Sequence, residues 1–513
     1  MYSVVSTAAA FGLGCRFIGV EADVSDGLPV FEMVGYLSSE VKEAKERVRT
    51  AMKNSGYLLP PKRITVNLSP IHVRKEGNCY DLPVAVAIMS ALGILKAEDV
   101  NGWLIVGEVG LDGSVHPSCG ILPIVAAAKE AGFTGVMLPK KNAAEGAMVR
   151  QISVVGVSSL NEAVHFFKAD AEERRCLLQP PTLEPVTNQE MMPDFSDING
   201  QHQVKRACEV AVAGMHHFLM IGPPGSGKTM IASRIPSILP EMTPEERMEI
   251  SKIYSIAGLL DAQSGLVKCR PFRAPHHSIS TAALIGGGSV PRPGEVSLAH
   301  GGVLFLDEMT EFQRGALEAM RQPLEDRKVL ISRVNGTMEY PANCMLVCAT
   351  NPCPCGFYPD RKKCTCSTMA VRRYLGKISG PLLDRVDISI MTQRMTYSDI
   401  IRREKEETSE EIRRRVEQAH QIQKERYAGT PIRFNANLSA ADIYKYCSLS
   451  GALKTYMESV FENLGLSARG YYKILKVART IADLEGNAQI TQLDLAEAVS
   501  YRVPGVFEFA EVV

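Results

Sequence analysis

The sequence predicts a multidomain α/β protein: a compact α/β domain at the N-terminus, a parallel β/α core, and an α-helical C-terminal part. Three observations lead there. The chain has 513 residues, more than one hydrophobic core usually supports. Strand-like and helix-like runs alternate up to about residue 395, as in successive βα units. Beyond Ser398 the apolar residues recur at helical spacing.

In residues 1–167, a strand-like run at Ile18 to Val24 is followed by Ser39 to Ser55, where Val41, Ala44, Val48 and Ala51 share one helical face. Asp26-Gly27 between extended runs is a hairpin signal, and Pro60-Pro61 precedes another strand, Ile64 to Leu68. Residues 168–198 turn polar and proline-containing (Pro180-Pro181, Pro185, Pro193), which reads as a linker. The core, residues 199–395, opens on the apolar strand Phe218 to Ile221. In the last part, residues 396–513, Thr408 and Glu411 form a capping box ahead of Ile412, Val416, Ala419 and Ile422. Further helices are expected near Ser467 to Leu484 and Thr491 to Tyr501.

Composition bounds the function. With 45% hydrophobic and 22% charged residues the chain has an ordinary globular profile, not a disordered one. Its 57 basic and 57 acidic side chains cancel, so nucleic-acid binding requires a local patch or an assembled pore. Met1 to Gly14 lacks a basic leader, and Arg16, Glu21 and Asp23 interrupt the apolar residues. Neither a signal peptide nor a membrane span is expected there. A cytoplasmic protein follows, in which most of the 13 cysteines act as small hydrophobes.

Between the strand Phe218 to Ile221 and a helix beginning at Met230 lies Gly222-Pro223-Pro224-Gly225-Ser226-Gly227-Lys228-Thr229. This is the phosphate-binding loop pattern: glycines let backbone N–H groups close on phosphate oxygens, and the helix N-terminus adds positive potential. Lys228 would reach the β- and γ-phosphates, and the Thr229 hydroxyl would bind the bridging magnesium. Downstream, Val303 to Leu306 is a buried strand ending in Asp307 and Glu308. Acidic pairs at strand ends are common, but one following a phosphate-binding loop has a specific use. Asp307 would hold magnesium through water and Glu308 would polarise the attacking water, so the cofactors expected are ATP and Mg2+.

Cys353-Pro354-Cys355 and Cys364-Thr365-Cys366 place four thiols in one short loop. Structural zinc, free thiols and a redox pair all fit; a reducing compartment favours Zn2+ held by Cys353, Cys355, Cys364 and Cys366. Arg361, Lys362 and Lys363 inside the loop either face DNA or are simply solvated. His276 and His277 are adjacent and cannot share a helical face, which argues for structural roles.

The chain resembles the magnesium-chelatase-like AAA+ ATPases, most closely the YifB/ComM group, over almost its whole length. The resemblance rests on the P-loop with Asp307-Glu308 and on four further motifs. They are Pro271-Phe272-Arg273-Ala274-Pro275-His276-His277, Ala349-Thr350-Asn351-Pro352, Ser379 to Asp387, and Leu466-Ser467-Ala468-Arg469-Gly470. It implies that Asn351 is sensor 1, Arg385 an arginine finger for a neighbouring subunit, and Arg469 sensor 2 on an α-helical lid. It further implies a homo-hexameric ring and, from ComM-like members, an ATP-driven helicase promoting branch migration on single-stranded or branched DNA. Relatives place a pore-lining hairpin where this chain has Lys328 to Tyr340, with Asn335-Gly336 as its turn. There Lys328 and Arg333 either meet phosphates or are solvated. Arg273 to Gly302 resembles the clade's helix interrupted by a projecting loop.

Residues 1–167 resemble the Lon protease domain, but the Ser-Lys dyad does not carry over. Cys79 stands at the nucleophile position and Leu122 at the position of the general base. Leucine takes no proton, so a non-proteolytic scaffold or interaction domain is expected. The rival to a DNA motor is a chelatase-like ATPase that remodels a protein or assists metal insertion. No integrin-like domain is expected after the helical part, since the sequence stops at Val513.

Overall fold

Strict alternation shapes two strands of the first sheet, Gly14–Ser25 and Arg63–Ser69. In the strand Gly14–Ser25 the side chains of Ile18, Val20, Ala22 and Val24 are buried while their neighbours are not, so one face is committed to a core. Burying each aliphatic side chain contributes about 1.5–3 kcal/mol relative to exposure. The computed structural model describes residues 1–180, 193–261, 265–288, 291–333, 336–394 and 406–502. They form two compact units, and neither is contiguous in sequence.

The first unit comprises Met1–Thr187, Pro244–Lys268 and Leu330–Tyr340. Its sheet has the order Val30–Val34, Arg63–Ser69, Gly14–Ser25, Tyr2–Phe11, Trp103–Ile105, Gly135–Pro139, Ser153–Val157. The expected hairpin at Asp26-Gly27 does not form. Arg63–Ser69 inserts antiparallel beside Gly14–Ser25, and Val30–Val34 pairs parallel on its far side. A turn signal specifies only a local reversal; Ile64, Val66 and Leu68, all buried, decide the partner. The hairpin that does form joins Tyr2–Phe11 to Gly14–Ser25. Helix Ser39–Asn54 buries Val41, Ala44, Val48 and Ala51, the face its periodicity implies. Part of the expected linker is ordered: Ala171–Leu177 is a helix capped by Asp170, whereas residues 181–192, with Pro181 and Pro185, lie outside the described residues.

Helix Pro244–Ala257 belongs to this unit although it follows the P-loop in sequence. Its Ser255 hydroxyl donates to Glu145 Oε1 at 2.5 Å and accepts the Leu122 N–H at 3.2 Å. Met248, Leu260 and Leu266 pack on the apolar cluster containing Ile121, Leu122 and Val125. The hairpin Lys328–Arg333 and Gly336–Pro341 forms, and its residues Leu330–Tyr340 group with the same unit. A Cβ at Gly12 (φ 58°) would come within 3.2 Å of the Glu339 carbonyl oxygen. Asn335, the expected turn residue, lies outside the described residues.

The second unit, Asn188–Thr243, Cys269–Val329 and Pro341–Val513, holds a five-stranded parallel sheet. Its order is Phe272–Arg273, Val303–Leu306, Met345–Thr350, Phe218–Ile221, Ile388–Met391. The first of these strands in sequence, Phe218–Ile221, thus sits between the fourth and the fifth. Four residues buried in each of Phe218–Ile221 and Val303–Leu306 explain their unbroken apolar runs. From residue 406 on, the described segment is helical apart from its connections. It includes Ser409–Arg426 with the Thr408/Glu411 capping box, Ala468–Leu484 and Gln492–Ser500. Residues 396–405 lie outside the described residues.

Candidate functional site

In open parallel sheets, ligands settle beyond the carboxyl ends of the strands where the strand order switches. Three adjacent strands end there in the P-loop, in Asp307-Glu308 and in Asn351. The P-loop backbone needs its glycines. Gly227 has φ 82° immediately before helix Lys228–Ala232, and a Cβ on Gly222 would lie 1.9 Å from Thr392 Oγ1. Thr392 in turn meets Ser226 Oγ at 2.7 Å.

Lys228 Nζ donates to the Gly222 and Pro223 carbonyls (2.8 and 3.0 Å) and to Asn351 Oδ1 at 3.2 Å. Burial depresses the Lys228 pKa, opposed by the nearby charges of Asp307 and Glu308. Thr229 Oγ1 donates to Asp307 Oδ2 at 2.7 Å. The two oxygen ligands that a P-loop and its acidic strand supply to magnesium are thus already side by side, and the hard-oxygen donor set fits that ion. Glu308 adopts left-handed backbone (φ 49°, ψ 48°), a conformation that costs a non-glycine residue of order 1–3 kcal/mol and clusters at functional sites. Its carboxylate lines a cavity of about 860 Å³ together with Asn351, Arg373, Tyr374 and Lys377.

His277 was missed by sequence reasoning. Its Nδ1 lies 4.0 Å from Glu308 Oε2, and its ring lies against that of His276, centroids 4.0 Å apart and tilted by 34°. The signal was present: these histidines follow the strand Phe272–Arg273, whose carboxyl end opens on the same crevice. The expected interrupted helix appears as helix Thr281–Ile285, the paired strands Gly286–Gly287 and Arg292–Pro293, and helix Glu295–Leu298. Arg273 braces it through two bonds to Glu295, of 2.6 and 2.7 Å.

Arg385 and Arg469 lie outside this hydrogen-bonded cluster. Arg385 donates to the Arg321 and Pro381 carbonyls (3.1 and 2.7 Å) and pairs with Glu325 of its own chain. Two residues on, buried Asp387 accepts the His217 N–H at 3.0 Å and pairs with Lys473 at 3.1 Å. Burial opposes its charge, yet Lys473 and His216 hold the Asp387 pKa well below the carboxylate range. Arg469 is exposed in the first turn of helix Ala468–Leu484.

The four cysteines converge. Their sulfurs all lie within 4.8 Å of one another, with Cys353–Cys355, Cys353–Cys364 and Cys355–Cys364 at 3.4, 3.8 and 3.6 Å. A tetrahedral ion with metal–sulfur bonds of about 2.3 Å sets sulfurs about 3.8 Å apart, so the cluster can hold a metal. The Tyr358 N–H points at Cys353 Sγ (3.4 Å), and the Phe357 N–H pulls the Cys355 thiol down to about 6. The basic residues of the loop are partly used within it: Arg361 bonds the Cys366 carbonyl and stacks on Tyr358, and Lys363 pairs with Asp360.

In the first unit, Cys79 is half-buried and packs on the apolar cluster that contains Leu122. Burial pushes the Cys79 thiol up to about 12, the reverse of an activated nucleophile. Fully buried Leu122 offers only its N–H, already taken by Glu145 and Ser255.

Comparison with known proteins agrees with this geometry. Residues 194–400 match the model described as magnesium chelatase, subunit ChlI; residues 20–142 match subunit ChlI of Mg-chelatase, and 406–502 its C-terminal part. Over 504 residues the chain is 40% identical to the competence protein ComM of Haemophilus influenzae, covering 98% of this chain and 97% of that one. The chain belongs to the YifB/ComM family of magnesium-chelatase-like proteins. Escherichia coli YifB is 39% identical over 504 residues, 98% of this chain and 97% of YifB. Lon protease 2 of Bacillus subtilis is 31% identical over 174 residues, 32% of this chain and 31% of the protease. Membership in the YifB/ComM family implies an ATPase that uses ATP and Mg2+, and the P-loop and acidic-pair geometry fits both. Among the described residues no helix is long and apolar enough to cross a membrane.

Proposed function

We propose that this chain is a cytoplasmic AAA+ ATPase that works on single-stranded or branched DNA as a homo-hexameric ring, as a helicase promoting branch migration. The observation that carries hydrolysis is the convergence of Thr229 with Asp307 and of Lys228 with Asn351, beside a Glu308 that opens on a cavity. The DNA assignment rests on full-length similarity to a competence protein.

In this reading Lys228 and the P-loop N–H groups hold the phosphates, and Asn351 orients water against the γ-phosphate. Glu308 accepts a proton from the attacking water, with His277 setting the direction of the carboxylate. Thr229, and Asp307 through water, would hold magnesium, which would supply positive charge beside the phosphates. Arg385 leaves Glu325 and serves a neighbouring subunit's nucleotide, while Arg469 reports nucleotide state to the helical lid. Cys353, Cys355, Cys364 and Cys366 would hold Zn2+ in a structural role, because four protein ligands leave no open position. The first domain is a non-proteolytic scaffold or interaction domain, consistent with the raised pKa of the half-buried Cys79 thiol.

The test is ATP hydrolysis by the purified chain with and without single-stranded and forked DNA, with Glu308→Gln as the inactive control. Stimulation by DNA that disappears in Glu308→Gln is expected. Hydrolysis that depends on Glu308 but ignores every DNA would transfer the assignment to protein remodelling or assisted metal insertion, the chelatase-like alternative.

A further inference from the structure

The cysteine loop meets the nucleotide site at two points. Cys353 follows Asn351 by two residues, and Asn351 is bonded to Lys228. Gly356, next to Cys355, has φ 82°, and a Cβ built on it would lie 2.3 Å from Pro224 Cδ and 2.8 Å from Pro224 Cγ. Pro224 is a P-loop residue with no flexible side chain to yield. Between these points Pro354 lines the same cavity as Glu308 and Asn351. Cys353 and Cys364 are buried, and Ser367, next to Cys366, also lines the cavity.

We propose that metal binding by Cys353, Cys355, Cys364 and Cys366 is the prop of the P-loop: it seats Gly356 against Pro224 and Asn351 against Lys228, so nucleotide affinity follows occupancy of the cluster. This rests on the ATP-site reading above. Without an ion, only weak thiol contacts of 3.4–3.8 Å join Cys353, Cys355 and Cys364, and both props relax at once. Outer-shell supports of this kind are typically worth 10- to 100-fold in affinity or activity.

The experiment uses the full chain and zinc(II) alone. Bound zinc is quantified by mass spectrometry, and the Kd of a fluorescent ATP analogue is measured with magnesium present. Measurements are made before zinc removal by a zinc-selective chelator, after it, and after zinc is restored; thermal unfolding is followed alongside. Removal is expected to weaken the analogue about tenfold, reversibly. Two variants separate the links. Cys364→Ser should lose both zinc and affinity. Gly356→Ala keeps all four thiols and should retain full zinc while losing affinity, because its methyl displaces Pro224. An unchanged Kd on zinc removal, or Gly356→Ala binding the analogue like the parent, overturns the proposal, as does a parent chain that takes up no zinc. An analogue that fails to bind even the zinc-loaded parent overturns the ATP-site reading instead.

Discussion

Acidification should loosen the strand that carries the P-loop, through His217. Its Nδ1 accepts the Leu346 N–H at 3.1 Å, which ties the residue before Phe218–Ile221 to the strand that ends in Asn351. An imidazolium has no acceptor at Nδ1, so protonation breaks this bond. Burial, with Asp387 opposing it and Lys473 assisting, drives the His217 pKa from 6.5 down to about 4. Between pH 6.5 and 4 the unfolded state therefore binds a proton that the folded state refuses, and stability falls as pH falls through that window. At 1.36 kcal/mol per pKa unit the full loss is on the order of 3 kcal/mol. Hydrogen exchange read by mass spectrometry on peptides spanning 216–221 and 345–351 would follow it from pH 7 to 4.5, after correction for intrinsic exchange. His217→Gln keeps an acceptor but does not titrate in this range, and its profile should be flatter by about that amount. Equal slopes for parent and His217→Gln would refute the reasoning.

Asn351→Ala should lower kcat for ATP by about 10²-fold, the usual scale for one polar group aligned on a reacting centre; stopped assays at saturating ATP would reveal it. Exchanging His277 for Gln should leave nucleotide affinity intact and reduce kcat by about fivefold or less, the limit for a partly exposed pair worth up to ~1 kcal/mol. Arg385→Ala should cut assembled activity on the order of 10³-fold. Mixing it with Glu308→Gln, which retains the arginine, should restore turnover, and no recovery in such mixtures would remove Arg385 from the finger role. Cys79→Ala should leave ATP hydrolysis and DNA stimulation unchanged, and assays with unfolded polypeptides should detect no cleavage by either protein.

The candidate site was legible as a motif because its residues are local in sequence. The P-loop spans eight consecutive residues, and Asp307-Glu308 ends a run that only a strand buried on both faces explains. The four cysteines were legible for the same reason. Pairings across long sequence separations were not. Asp26-Gly27 carries a correct turn signal, yet the neighbour of Gly14–Ser25 is a strand some forty residues downstream, selected by burial of Ile64, Val66 and Leu68. His277 near Glu308, Gly356 against Pro224 and Arg385 on Glu325 arise only once strands and loops are arranged in space. The parallel sheet order itself, with Phe218–Ile221 between two later strands, has no short-range signature.

Because the first unit borrows Pro244–Lys268 and Leu330–Tyr340 from beyond the P-loop, its assembly is tied to the order in which the chain is made. A ribosome that has released residues 1–187 has released an unfinished layer. Ile121, Leu122 and Val125 still await Met248, Leu260 and Leu266, and Glu145 still lacks the Ser255 hydroxyl. Such non-local closure slows folding and leaves apolar surface open to aggregation in the interval. A fragment cut at the apparent end of the first domain would therefore be expected to aggregate for want of its partners. The natural boundary of this unit in expression work is set by contacts, not by position along the chain.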